Sequence, residues 1–447
     1  MFTFCSAVLL AIVPLPQGAG GADPFAAPTA PLDPRVNAEK VTQLEVPLAQ
    51  QQVAQPLPVV HIIAADAAAS GVDEETWTSA RQALERGLEF LRKSQGRRGG
   101  WMERETATAT DQAKGSPAAP IAVTAMAAKA FTQAGATRQT SPELARALEF
   151  IRISTMRGGA FEPDSSGSLG NYVASAVAMA TAGLSDPADR LLLEESVAWM
   201  RRNQWDQTEG LASRADWFGG AGYGSRGRPD LSNTQMMLDA LHDAGVSPDD
   251  PSVQRALAFV ARTQNLKTSN SADWAQAGSG DGGFVYTPAN GGESFASEAA
   301  GEGRYGEIAP AGAPRSLRSY GSMTYAGYKS LLYAGLTRDD PRVKAAEEWL
   351  AQHWTFAENP GLGKQGRFYY LHAMARALQA GQRESINSSD GVAHEWRREL
   401  IRALLAEQRA DGSWVNEADR WEESQPELVT AYALLALEEC LKPPVRP

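Results

Sequence analysis

Residues 226–235, Arg-Gly-Arg-Pro-Asp-Leu-Ser-Asn-Thr-Gln, concentrate hydrogen-bonding side chains ahead of an apolar run. Asp230 is the only acid among them. It can move a proton, hold a ligand, or cap the helix that begins there, because a carboxylate accepts the free N–H groups of a first turn. Ser232 and Asn233 can hydrogen-bond but are far too weak as acids to protonate a substrate. Aromatic groups gather at equivalent places. Trp217, Phe218 and Tyr223 precede this segment, Tyr320, Tyr325 and Tyr328 stand in a later one, and Phe368, Tyr369 and Tyr370 open another. Aromatic faces stabilise cations, and they also line apolar pockets or pack in cores. Tyr325 and Tyr328 lie three apart and share one helix face. Cations stand at the same three places: Arg226 and Arg228, Arg315 and Arg318, Lys364 and Arg367. Cations oppose the dipole at a helix start, so they point to an anionic partner such as a diphosphate, or to pairing with nearby carboxylates. His372 stands near Tyr370, but the five histidines are scattered, and the two cysteines, Cys5 and Cys440, lie at opposite ends of the chain. That supply implies no metal site and no cofactor.

The 447 residues carry a net charge of −11, which disfavours nucleic acid and anionic membrane surfaces as main partners. The apolar stretch Phe2–Val13, followed by Gly20, Gly21 and Ala22, resembles a secretory signal over residues 1–22. A secreted or periplasmic chain is expected, and otherwise a cytoplasmic one. Residues 23–74 are rich in Pro, Ala and Gln and read as a disordered spacer, although the apolar 57–65 could pack on the main domain. No later apolar run is long enough to span a bilayer. Residues 441–447 form a tail. Oligomeric state is not legible.

Between these ends the chain repeats itself. Helical segments with one charged face recur at 87–101, 148–161, 197–204, 256–264, 345–354 and 401–414, and several run into a Gln followed by Gly-x-aromatic. Segments of a second kind, rich in small residues and apolar nearly all round, fill 121–135, 171–183, 232–245, 321–335, 368–381 and 427–439. The first five close on Gly135, Gly183, Gly245, Gly335 and Gly381, which suits left-handed C-caps. A helix with one wet face belongs outside, and one apolar all round must be covered on both sides. Six such pairs over residues 75–440 predict an all-α (α/α)6 toroid with six inner and six outer helices. The inner helices should present their N-termini at one mouth. The long polar connection 265–319 is expected to lie over it.

Gly87-x-x-Phe90-Leu91-x-x-x-Gln95-x-x-x-Gly99-x-Trp101, with its partial copy ending Gln408…Gly412-x-Trp414, resembles the Gln-Trp repeat of squalene–hopene cyclases and of the wider terpenoid cyclase and protein prenyltransferase superfamily. The resemblance implies one catalytic-type toroid with an apolar central cavity and an isoprenoid or other apolar small molecule as ligand. Its Gln and Trp are expected to be structural. It also implies an Asp-x-Asp-Asp-Thr acid motif. Here Asp230 and Thr234 match, while Ser232 replaces the central acid and Asn233 the last one. The candidate ligand-binding set is therefore Trp217, Phe218, Tyr223, Arg228, Asp230, Ser232, Asn233, Arg318, Tyr320, Tyr325, Tyr328, Arg367, Tyr369, Tyr370 and His372, with Asp230 the one catalytic candidate. A non-catalytic scaffold or binding toroid is the alternative. A carbohydrate-active α/α barrel, using acids among Asp216, Asp419, Glu422, Glu423 and Glu427, is the second; on the other readings the 419–427 segment is a solvated turn.

Overall fold

A computed structural model describes residues 63–103, 118–163, 169–224, 227–308 and 313–444. The expected signal segment, most of the spacer, Arg226 and the last tail residues lie outside them. The described chain is a double ring of helices. The outer ring is α2 (Glu74–Ser94), α4 (Pro142–Thr155), α6 (Pro187–Asn203), α8 (Pro251–Arg262), α12 (Pro341–Gln352) and α14 (Trp396–Glu407). The inner ring is α3 (Ala119–Gln133), α5 (Gly170–Thr181), α7 (Leu231–Asp243), α11 (Gly321–Tyr333), α13 (Arg367–Ala380) and α15 (Pro426–Leu441). Each inner helix packs on its two inner neighbours, and α15 packs on α3, so the ring closes as an (α/α)6 toroid. Short helices α1 (Ala67–Ser70), α9 (Asp273–Ala277) and α10 (Phe295–Ala299) are additions to it, with three two-residue hairpins: β1–β2 at 156–161, β3–β4 at 221–230 and β5–β6 at 386–394. Among the described residues no helix is long and apolar enough to cross a membrane.

Five of the six outer helices begin where their sequences provide a cap, α14 being the exception. Asp73, Ser141, Asp186, Asp250 and Asp340 each accept a first-turn N–H, and α4, α6, α8 and α12 place proline in that turn, where a missing N–H costs little. On the inner helices Gly135, Gly245 and Gly335 take the left-handed conformation expected of them. Gly381 does not: its φ is −72°, and Gln382 enters the left-handed region instead.

The Gln and Trp of the repeat are joints. Gln95 Nε2 donates to Gly99 O and to Glu143 O of α4, both at 2.8 Å. Gln204 and Gln264 bridge in the same way to Ser252 of α8 and Arg342 of α12. Gln408 reaches Ala83 of α2 at 2.8 Å and thereby joins the last outer helix to the first. The indoles of Trp101 and Trp414 are buried, and each donates at 2.8 Å to a carbonyl of its own outer helix, Leu91 and Leu404. Gly99 needs its φ of +99° and its missing side chain, since a Cβ there would sit 2.6 Å from Arg146 O. A threonine completes each joint from the inner side. Thr124, Thr234, Thr324 and Thr430 accept the N–H of Trp101, Ala221, Phe284 and Trp414 at 2.9–3.1 Å. Thr234, which matches the last residue of the acid motif, is thus one of four equivalent structural threonines.

Candidate functional site

The inner helices enclose two different interiors. Toward their N-termini lies a cup with about 900 Å³ of empty space, counted out to its open mouth. Its wall carries eight aromatic side chains: Tyr172, Tyr223, Tyr286, Phe295, Tyr320, Tyr369, Trp421 and Tyr432. Met126, Met323, Val123, Leu169 and Leu428 fill the spaces between them. Tyr172 stacks on Tyr223 at 5.7 Å between centroids, and Tyr369 meets Tyr432 edge-on at 5.9 Å. Five positions come from outside the barrel helices, Tyr223 from the loop after β3 and Tyr320 from the cap of α11 among them. The 265–319 connection supplies Tyr286 and Phe295, and the turn before α15 supplies Trp421. The connection is not simply a polar cover: Trp274, Ala275, Val285 and Leu317 give it a small core of its own. Trp421 packs edge-on against Phe295 at 5.4 Å, and the Arg420 guanidinium lies 4.8 Å from the Phe295 ring, so the two segments meet across the mouth.

Of the candidate residues, the structure places Tyr223, Ser232, Tyr320 and Tyr369 in the wall of the cup. Asp230 lies directly behind Ser232, fully buried. Its carboxylate accepts from Asn233 N (2.8 Å), Asn233 Nδ2 (2.9 Å) and Ser232 Oγ (2.7 Å), and it caps α7. Burial pushes its pKa up, while these donors and Arg228 favour the charged form. Asn233 is a spacer between helices, receiving Asn171 Nδ2 on its backbone carbonyl at 2.9 Å. Tyr325, Tyr328 and Tyr370 are buried on the wrong side. Tyr325 and Tyr328 do share a face, but it points to the outer ring; Tyr325 packs edge-on against Tyr370, whose hydroxyl donates to Thr355 O at 2.7 Å. Trp217 packs on Trp205 at 4.8 Å and bonds Asn290, and Phe218 is buried away from the cup.

At the mouth the pairing alternative describes Arg228, Arg318 and Arg367. Arg228 is held by buried Glu293, which also binds Arg304. Arg318 pairs with Glu302 at 2.6 Å, and Arg367 with Glu407 at 2.6 Å. Each of these three guanidiniums is already answered by a carboxylate, so none of them is left to hold a diphosphate. The segment 419–427 departs from a solvated turn. Trp421 and Glu422 both have left-handed backbones (φ 60° and 61°), a conformation bulky side chains adopt only under constraint, and they turn Trp421, Glu422 and Glu423 into the cup. Glu423 is buried and accepts from Phe368 N (3.2 Å), Tyr369 N (2.8 Å) and Asn416 Nδ2 (2.7 Å), capping α13 from a neighbouring loop. Burial raises its pKa against those donors. Asp216 does not join them in the cup wall.

Below the cup the lumen is filled with charge. Lys329 Nζ donates to Asp239 at 2.7 Å, and Arg376 reaches Asp239 at 3.4 Å and Asp243 at 2.6 Å. Lys129 closes on Asp243 at 2.5 Å, and Glu439 pairs with Lys442 at 2.6 Å. Gln133 donates to Glu438 at 3.0 Å. His372 sits between the two interiors, tilted against Tyr432. Burial, with Lys329 and Arg376 beside it, holds its pKa well below the usual histidine value, so its ring is neutral. Gln235 links the halves, donating to Tyr369 Oη at 3.1 Å and accepting from Lys329 at 2.8 Å.

The aromatic residues missed from sequence are Tyr172, Tyr286, Phe295, Trp421 and Tyr432, whereas Glu422 and Glu423 were named only for the carbohydrate-active alternative. Tyr172 and Tyr432 sit two and six residues into inner helices, where a count from the helix start would have placed them. The loop residues carried no periodic signal.

No family model matches the chain, and no curated protein does. Among solved structures it is similar to a family 76 glycoside hydrolase from a bovine Bacteroides thetaiotaomicron strain, with 11% identity, 80% of this chain and 77% of that one covered, and a TM-score of 0.50. It is also similar to a D-mannose isomerase, with 12% identity, 81% and 97% covered, and a TM-score of 0.49. A third similar structure is the type II terpene cyclase MstE from Scytonema, with 12% identity, 81% and 98% covered, and a TM-score of 0.44. At 11% identity the glycoside hydrolase likeness speaks to the fold alone.

Proposed function

We propose that the chain binds an uncharged apolar small molecule of the isoprenoid class in the N-terminal cup. The observation that carries this reading is the wall of eight aromatic rings and intervening aliphatic side chains around a hollow that opens to solvent. Ligand pockets are largely apolar with a few placed polar groups, and this one has that make-up. The Gln-Trp repeat supports the isoprenoid class. The paired arginines argue for a neutral ligand rather than a diphosphate. Alkene protonation, the initiating step of the resembled cyclases, has no supplier at the central position, because Ser232 stands there. Asp230, behind Ser232, and Glu423, beside Glu422 in the wall, are engaged as acceptors of N–H bonds at helix starts. A binding role therefore fits these residues better than a cyclising one, and a polar sugar fits the aromatic wall least.

Native mass spectrometry of the full chain after incubation with squalene, geranylgeraniol and geranylgeranyl diphosphate tests the proposal. Retention of the neutral compounds at one per chain, with the diphosphate no better held, is the expected result. Retention of none of them, or of the diphosphate alone, would overturn it.

A further inference from the structure

A second hollow opens on the other side of α10. Phe295 of that helix lines the cup, while Ala296 and Ala299 line about 1090 Å³ of empty space, counted out to its open mouth. Trp349 and His353, from the end of α12, line it too. Their rings stack at 3.9 Å, and His353 Nδ1 donates to Trp349 O at 2.8 Å. Trp349 is 3% exposed, and its indole N–H donates to no atom among the described residues. The indoles of Trp101, Trp396 and Trp414 each donate to a carbonyl. The nitrogens of Trp77 and Trp274 also lack an acceptor, but they are sealed from solvent, whereas that of Trp349 stays open to the hollow. A buried N–H without an acceptor is costly, so this one calls for a partner that the chain does not supply.

A Cβ on Gly283 would lie 2.8 Å from Trp349 Nε1 and 2.9 Å from Ser319 Oγ, so these two atoms flank one point, and the glycine leaves it clear. Ser319 gives its only hydroxyl hydrogen to Asp281 Oδ1 at 2.8 Å, so toward a ligand its oxygen is an acceptor. A donor and an acceptor side by side are both answered by a hydroxyl, which accepts and donates. Charge in this wall is already matched. Asp281 also accepts from Ser279 Oγ at 2.9 Å and from Gly283 N at 3.0 Å, and Arg318 meets Glu302 through two bonds of 2.6 and 2.9 Å. That pairing argues against an anion or a cation as occupant. We propose that this hollow, separate from the cup, binds a neutral saccharide, with the Trp349 N–H donating to one of its hydroxyls. One water would also answer that N–H, but a water's share of liquid volume is about 30 Å³, far less than the space here.

Saturation-transfer NMR of the full chain with glucose, mannose and galactose, each in turn, tests this. Saturable transfer to at least one hexose is expected, with glucose 6-phosphate held no better. Trp349→Phe keeps a ring and deletes the N–H, and should weaken binding of that hexose about tenfold while leaving geranylgeraniol retention unchanged. Ala299→Phe, at an exposed position in the wall, fills the hollow and should abolish transfer. Melting temperatures check the fold of both variants. Absence of transfer to every hexose, or undiminished binding by Trp349→Phe, would overturn the inference. Tighter binding of glucose 6-phosphate would overturn the neutral class, and transfer that persists in Ala299→Phe would overturn the site. None of these results bears on the cup.

Discussion

The two halves of the lumen are built on the same six helices and end in opposite solutions. At the N-terminal end rings stand around a hollow; at the C-terminal end Lys129, Asp239, Asp243, Lys329, Arg376 and Glu439 fill the space with charge. A single helix passes from one to the other. Along α7 the inward row runs Ser232, Gln235, Asp239, Asp243, and along α13 it runs Tyr369, His372, Arg376. The charged half pairs its groups with one another. The aromatic half has room and few charges. The difference teaches where to look for function in such a barrel: the half whose side chains satisfy one another holds the ring together, and the half that leaves a hollow is free to bind.

Breaking the charged half should have the largest effect. Lys329→Met leaves Asp239 buried with only the longer Arg376 contact, and should cost about 3–5 kcal/mol of stability in chemical denaturation. Adding Asp239→Leu should recover part of that loss, because removing both members of a buried pair is far cheaper than removing one. The aromatic half should respond in the other quantity. Trp421→Ala removes a half-buried ring from the rim and should weaken ligand retention by about thirtyfold, a loss of about 2 kcal/mol, with under about 1 kcal/mol of stability change. A Trp421→Ala protein that unfolds but binds normally would erase the contrast.

The charged half carries a pH dependence of both signs. Burial raises the pKa of Glu438 well above its ordinary value, with Lys442 and the Gln133 bond opposing it. A carboxyl whose folded pKa is raised takes up a proton on folding. Its contribution is full below the unfolded pKa of about 4.3 and is lost as pH climbs toward the folded value, at up to about 1.4 kcal/mol per pH unit. Glu438→Gln, which keeps an acceptor for Gln133, should remove that slope and be the more stable protein at pH 8. Asp243 works with the opposite sign. Burial opposes its charge, but Arg376 and Lys129 outweigh burial and hold its pKa well below the usual range, so its stabilisation persists above about pH 4 and fades only as pH falls through the lowered value. Unfolding followed from pH 4 to 8 in both proteins reads this out. The smallest effect is expected at the link. Gln235→Leu severs Tyr369 from Lys329 and should cost about 1–2 kcal/mol while changing hydrocarbon retention less than twofold.

The ring itself was legible because it is repetitive. Gln95, Gln204, Gln264 and Gln408 recur at the ends of like helices, and each makes the same bridge to the next outer helix. The site was legible only in part. Ser232, Tyr320 and Tyr369 stand at the starts of inner helices, where the expectation of a common mouth correctly sent the reading. Tyr325, Tyr328 and Tyr370 were misplaced because a helix buried on all sides gives no hydrophobic period to tell its inward face from its outward one. The row Met323, Lys329, Tyr333 in fact faces the lumen. The charged floor escaped for the same reason: Asp239 and Lys329 lie 90 residues apart in helices that read as apolar all round. The arginines at the mouth were visible, but their partners Glu293, Glu302 and Glu407 arrive from distant segments that no spacing connects to them. Trp421 enters the cup through two consecutive left-handed residues, a path that local propensity opposes.

The central claim is that the N-terminal hollow is a ligand site, and a crystal structure of the full chain soaked with geranylgeraniol tests it most directly. A chain of density is expected inside the cup, lying against Tyr320, Phe295 and Trp421. An empty cup beside a ligand bound elsewhere, or side chains collapsed to fill the hollow, would contradict it.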